Sequence, residues 1–103
     1  MVDMVHEVPN LLQRDKLCAA VAQIAEVVQY FADGARRARE AGVDGVELHG
    51  SNGYLITQFL SSAINDRKDD YGGSLENLVL FVVEVVRAIR AEVGADFHLQ
   101  MKI

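Results

Sequence analysis

The sequence of 103 residues has no tryptophan, one cysteine and one proline. Because Cys18 is alone, it can form neither an internal disulfide nor a complete thiolate metal site, and we expect no metal. Such cysteine usage fits a reducing compartment, so a cytoplasmic location is expected.

Clustered charge and long apolar runs are also scarce. The net charge is only −5, and the basic cluster Arg36, Arg37 and Arg39 reads as the solvated end of a helix. A nucleic-acid partner is therefore not expected. Charged residues interrupt the first twenty positions, so we expect neither a signal peptide nor a membrane span, which needs roughly 20 apolar residues.

The composition is that of an ordinary globular protein, with half of the residues hydrophobic. The spacing of these hydrophobic residues along the chain predicts helices and strands. Apolar residues recur at helical spacing from Val21 to Ala41, and Gly42 follows as a helix stop. Val43 to Leu48 predicts a short buried strand, and Tyr54 to Leu60 predicts one or two helical turns. The polar run 65–73 is expected to be irregular.

A second helix is predicted to begin after Ser74, which suits an N-cap, and to end at Gly94. Phe97 to Ile103 predicts another strand, and Met1 to Ala20 is expected to be a poorly structured lead-in. The predicted apolar stripe of the second helix is Leu75, Leu78, Val79, Val82, Val85, Val86, Ile89 and Val93. This order of elements predicts an α/β fold with parallel strands and right-handed crossovers in a single partial domain, 1–103.

Three polar residues follow the first strand within six positions: His49, Asn52 and Tyr54. An imidazole N–H and a carboxamide N–H₂ can both donate to one substrate oxygen, and two converging donors polarise it. Each residue alone has a plainer explanation, since a strand-end histidine is more often structural, an Asn-Gly pair is more often a turn and a tyrosine often only packs. Their joint spacing favours the functional interpretation.

The motif His-x-x-Asn-x-Tyr-Leu-x-x-Gln-Phe-Leu is followed, from Asn65, by the block Asn-Asp-Arg-Lys-Asp-Asp-Tyr-Gly-Gly-Ser-Leu-Glu-Asn. Together they resemble the old yellow enzyme family of NADH:flavin oxidoreductases and ene-reductases, from about Val27 to the last residue. The resemblance implies a (β/α)8 TIM barrel with FMN as cofactor and NADH or NADPH as reductant. It also implies that the substrates are small activated alkenes or quinone-like molecules.

The resemblance also implies roles for single residues. His49 and Asn52 would bind the substrate oxygen, and Tyr54 would be the proton donor. Lys102 matches a position where the family usually has an arginine directed at the flavin. A strand-end lysine reaching into water is an equally good explanation of Lys102. Arg67, Asp69 and Tyr71 are expected to hold the long loop, as scaffold.

A TIM barrel needs roughly 250 residues, so 103 residues correspond to about two βα units, over 21–103. Parallel strands normally need both faces covered, and an open sheet edge is a template for association. We therefore expect self-association through the edge and the apolar helix face. The alternative to an enzyme fragment is a non-catalytic remnant or interaction module, favoured by Leu78 and Leu80, where the family typically has basic residues.

Overall fold

A computed structural model describes the backbone of Val2–Asp3 and all of residues 20–103. Its elements are β1 (Val2–Asp3), α1 (Val21–Glu40), β2 (Gly45–His49), α2 (Leu55–Leu60), α3 (Leu75–Val93) and β3 (His98–Lys102). The strands form one sheet in the order β1-β2-β3, and both pairings are parallel. The predicted parallel α/β arrangement is confirmed.

The N-terminal strand differs from the expected poorly structured lead-in. Val2 pairs with Val46 and Asp3 with Glu47, because the edge of β2 that faces away from β3 offers free backbone groups to any extended segment. The rest of that expectation, up to the N-cap of α1 at Ala20, lies outside the described residues.

The end of α1 explains why β2 begins later than predicted. Gly42 has φ +88°, and its N–H donates to the Arg39 carbonyl, while the Val43 N–H donates to the Ala38 carbonyl. This pair of bonds is a Schellman motif. Since it uses the N–H of Val43, that residue belongs to the helix end, and the strand starts at Gly45.

The second long helix begins as predicted. The Ser74 hydroxyl accepts a hydrogen bond from the Asn77 N–H at 3.2 Å, and Glu76 lies in the first turn, where the helix dipole favours a carboxylate. Leu75 was wrongly placed on the apolar stripe, because its side chain is 71% exposed. It occupies the first turn of α3, and burial begins at Leu78.

Helices α1 and α3 share a core with one face of the sheet. Val46 and Leu48 of β2 are fully buried, and Leu99 and Met101 of β3 pack against the same core. Side chains alternate across a strand, so the opposite face carries Glu47, His49, His98, Gln100 and Lys102. We call this set the polar sheet face.

The polar sheet face is linked by side-chain hydrogen bonds. The Gln100 Nε2 donates to Glu47 Oε1 at 2.8 Å, and His98 Nε2 lies 2.8 Å from Gln100 Oε1. The first bond joins β3 to β2 on the side away from the helices, and the second lies within β3. In the part of the chain described, no helix is both long and apolar enough to cross a membrane.

Candidate functional site

The carboxyl ends of β2 and β3 lie side by side. His49 is the last residue of β2, not the first residue beyond it as predicted, and its register partner is Lys102. The next N–H, that of Gly50, donates to the Lys102 carbonyl at 2.8 Å. A Cβ at Gly50 would lie 2.9 Å from that carbonyl oxygen, so glycine permits the close approach.

A tight turn follows the strand end. Asn52 and Gly53 have φ values of +61° and +75°, and the Tyr54 N–H donates to the Ser51 carbonyl at 3.4 Å. Two consecutive residues with positive φ are typical of a type I′ turn, in which asparagine and glycine are favoured. The turn exposes the Asn52 side chain at its tip.

The turn brings Tyr54 back to His49. The two rings meet edge to face with their centroids 4.8 Å apart. Tyr54 is the N-cap residue of α2 and remains 49% exposed. The predicted residues His49, Asn52 and Tyr54 thus lie on one short turn, with His49 and Tyr54 in contact and Asn52 exposed between them.

Helix α2 holds the turn in place through two side chains. The Thr57 hydroxyl donates to the Gly50 carbonyl at 2.8 Å, and the Gln58 Nε2 donates to the Gly53 carbonyl. The helix itself is anchored because Leu55, Ile56 and Phe59 are buried in the core. The loop is therefore fixed at both ends by groups outside it.

Sequence reasoning missed one residue that contacts the imidazole. Both the backbone N–H and the hydroxyl oxygen of Ser51 lie 3.4 Å from His49 Nδ1. A small hydroxyl residue before Asn-Gly looks like an ordinary turn residue, so the pattern gave no signal for this contact.

The loop from 65 to 73 is scaffold, as predicted. Arg67 binds both carboxylate oxygens of Asp69, and Asp69 Oδ1 also accepts from the Tyr71 N–H at 3.1 Å. The Arg67 guanidinium lowers the pKa of Asp69. Burial, together with a 2.6 Å hydrogen bond to Glu84, raises the pKa of Tyr71 to about 12.

Asn65 organises this loop from inside. Its Nδ2 donates to the carbonyls of Phe59 and Tyr71 at 2.8 and 2.7 Å, and its Oδ1 accepts from the Arg67 N–H at 3.0 Å. The sequence marks it only as the first residue of the second block. The structure makes it the buried centre of that block, 6% exposed.

Lys102, the residue that the sequence analysis assigns to the cofactor, lies at the carboxyl end of β3. It is exposed, belongs to the polar sheet face and pairs in register with His49. A cation beside a hydrogen-bond donor fits a flavin ring, which gains negative charge on reduction.

Among residues 20–103, no group of three or more histidine, cysteine, aspartate or glutamate side chains is arranged to hold a metal ion.

Known proteins include clear relatives of this chain. The model of the NADH:flavin oxidoreductase / NADH oxidase family matches residues 13–103. The 12-oxophytodienoate reductase 1 of Oryza sativa subsp. japonica is 49% identical over 92 residues, which are 89% of this chain and 22% of that protein. The 12-oxophytodienoate reductase 7 of the same organism is 51% identical over 77 residues, 75% of this chain and 20% of that protein.

A solved structure of 2-naphthoyl-CoA reductase with 2-naphthoyl-CoA superposes with a TM-score of 0.74 at 45% identity, over 76% of this chain and 12% of that one. The chain thus spans about a fifth of the length of the two Oryza reductases. Its described elements form part of a TIM barrel. The chain belongs to the NADH:flavin oxidoreductase / NADH oxidase family, which is the old yellow enzyme family that the His49 motif predicts.

Proposed function

We propose that this chain carries the substrate-oxygen site and the proton donor of an FMN-dependent ene-reductase. It would use NADH or NADPH to reduce activated alkenes or quinone-like molecules. The observation that carries the proposal is the contact between the His49 and Tyr54 rings at the end of β2, beside Lys102. The names of the relatives, reductases of 12-oxophytodienoate and of 2-naphthoyl-CoA, support a small-molecule substrate.

His49 and Asn52 would bind the oxygen of the substrate. An imidazole N–H and a carboxamide N–H₂ that converge on a carbonyl or nitro oxygen withdraw electron density from the conjugated alkene. The β-carbon becomes more electrophilic, and the negative charge that develops on the oxygen is stabilised. Removing one such donor typically costs about 2.7–4 kcal/mol of barrier.

Tyr54 would deliver a proton to the α-carbon. A phenol keeps its proton at neutral pH, and it can pass that proton to the far more basic carbon formed when the β-carbon accepts hydride. Its position supports this role, because the ring is half-exposed and packs against the imidazole that would hold the substrate.

Lys102 would lie against the cofactor. When bound, FMN would supply the hydride, and the Lys102 ammonium would compensate the charge that the flavin gains on reduction. Since the chain spans about a fifth of these relatives, the activity of the whole protein is part of the proposal. The proposal also includes a cytoplasmic location, based on the lone Cys18. It further includes self-association through the exposed sheet edge and the apolar helix face.

Binding of FMN is the first test. The purified chain is mixed with FMN and passed through a sizing column, and flavin absorbance is followed together with protein. Co-elution supports the proposal, and the elution volume reports self-association. Absence of flavin at every oligomer size would refute a catalytic role for this chain and favour a non-catalytic remnant or interaction module.

The second test is Tyr54→Phe, with Tyr30→Phe as a matched control on the exposed side of α1. In the flavin-loaded protein, Tyr54→Phe should slow the oxidative half-reaction with an alkene and leave flavin reduction by NADH or NADPH unchanged. Tyr30→Phe should alter neither. Equal loss in both half-reactions of Tyr54→Phe would contradict the proton-donor role.

A further inference from the structure

The hydrogen bonds of His49 determine which of its ring nitrogens carries the proton. Two groups of Ser51 approach Nδ1, the backbone N–H and the hydroxyl, each at 3.4 Å. A hydroxyl can donate or accept, but a backbone N–H can only donate. Nδ1 must therefore present its lone pair, and in a neutral imidazole the proton then lies on Nε2.

We propose that Ser51 is a positioning residue that holds His49 in the Nε2–H tautomer. The opposite tautomer would present the Nε2 lone pair to the substrate oxygen, where two lone pairs repel. This inference rests on the proposed function for the identity of the acceptor. It adds Ser51 as the residue that keeps the proton on Nε2, so that the imidazole can donate a hydrogen bond from the nitrogen that Ser51 does not contact.

The backbone around Ser51 leaves its N–H free for this contact. Both polar groups of Gly50 are already engaged, the N–H with the Lys102 carbonyl and the carbonyl with the Thr57 hydroxyl, each at 2.8 Å. The chain is thereby fixed one residue before the serine. The Ser51 N–H then points back at the imidazole that precedes it by two residues.

The Tyr54 ring completes the support of the imidazole. It packs against His49 with an angle of 68° between the ring planes, while Ser51 contacts the ring at Nδ1. A hydrogen bond at one nitrogen and an aromatic neighbour restrict both rotation of the ring and exchange of the proton. The remaining nitrogen, Nε2, is the one available to a ligand.

The test is nitrogen NMR of the imidazoles in the ¹⁵N-labelled chain without cofactor. Long-range ¹H–¹⁵N correlations distinguish a protonated ring nitrogen from one with a lone pair, and the His6→Gln and His98→Gln variants assign the His49 signals. We expect a lone pair on Nδ1. Ser51→Ala removes the hydroxyl and keeps the backbone N–H, so the ratio of Nδ1–H to Nε2–H should rise roughly two- to tenfold, as for loss of one of the two hydrogen bonds. Ser51→Thr should restore the wild-type ratio, and Ser62→Ala should not change it.

A proton on Nδ1 in the wild-type chain, or an unchanged tautomer ratio in Ser51→Ala, would overturn the proposal. In the flavin-loaded protein, Ser51→Ala should slow alkene reduction in proportion to the Nε2–H population that the NMR spectra show to be lost, with Ser51→Thr restoring it. If the wild-type chain reduces no alkene while the tautomer responds as expected, the proposed function fails and the hydrogen-bond assignment stands.

Discussion

Replacing Asn65 with alanine should strongly destabilise the fold without touching the candidate site directly. The side chain is 6% exposed and makes three hydrogen bonds, all to backbone groups. Two of these partners, the carbonyls of Phe59 and Tyr71, belong to segments that the loop must bring together. Alanine supplies no replacement for any of the three bonds.

The expected cost follows from those three groups. A buried backbone group left without a partner costs about 1–3 kcal/mol, so three of them would cost roughly 3–9 kcal/mol if none found water. Truncation to alanine opens room for water, which favours the lower limit, and we expect a loss of about 3 kcal/mol. Domains are stable by only about 5–15 kcal/mol, so this loss is a large fraction of the total.

The measurement is urea unfolding followed by circular dichroism, with Lys68→Ala as an exposed control in the same loop. Asn65→Asp keeps the shape of the side chain but turns a carboxylate oxygen toward two carbonyl oxygens. It should be at least as unstable as Asn65→Ala at pH 7 and should recover as the new carboxyl protonates in acid. An Asn65→Ala midpoint equal to that of Lys68→Ala would refute the reasoning.

Two further predictions concern the same loop. Tyr71→Phe removes the hydrogen bond to Glu84 and should cost about 1.5–3 kcal/mol at neutral pH. Because the pKa of Tyr71 is raised to about 12 from 10.0, wild-type stability should fall between pH 10 and 12, where only the unfolded chain loses this proton. The phenylalanine variant should lack that part of the fall in urea titrations, and an identical pH profile would contradict the assignment. Gly72→Ala should destabilise the fold more than Gly73→Ala in thermal unfolding. A Cβ at position 72 would lie only 2.8 Å from the Cβ of Arg67, whereas a Cβ at position 73, where φ is +98°, would meet no atom within 4 Å. The reverse order would show that the loop can move away.

The sequence predicts the long elements well because their signals are local. The spacing of apolar residues and the glycines at 42 and 94 place α1 and α3 within a residue of their observed ends. The errors occur at residues whose local structure is determined by contacts elsewhere in the fold. Val43 is apolar and looks like a strand residue, but its N–H belongs to the end of α1. Leu75 fits the helical period but lies beyond the core.

The site shows the same division. The spacing of His49, Asn52 and Tyr54 could be read from the sequence, because a strand end followed by Asn-Gly predicts a turn that keeps them close. The contacts of Ser51 and Thr57 could not be read from it. They depend on the direction of backbone groups in the folded turn, and hydroxyl residues are common in turns for many other reasons.

The opposite end of β3 is fixed by charged side chains. The Arg39 guanidinium donates to the Val93 carbonyl at 2.8 Å, binds Asp96 and lies 5.6 Å from the centre of the Phe97 ring. The hydrogen bond from the Arg39 guanidinium, together with its charge, lowers the pKa of Asp96. Arg90 donates to the Phe97 carbonyl just before the strand begins. The entry to β3 is therefore tied to both long helices.

The two ends of the strands thus differ in how their polar side chains are engaged. At the amino end of β3, the polar groups of Arg39 and Arg90 are satisfied by the protein itself. At the carboxyl end, Lys102, Asn52 and Tyr54 are exposed, although the backbone beneath them is held firmly. In barrels of this type, residues at the carboxyl ends of strands carry the chemistry and those at the amino ends carry stability. A fixed backbone under exposed polar groups suits the proposed binding site, because its donors would be oriented before a substrate arrives.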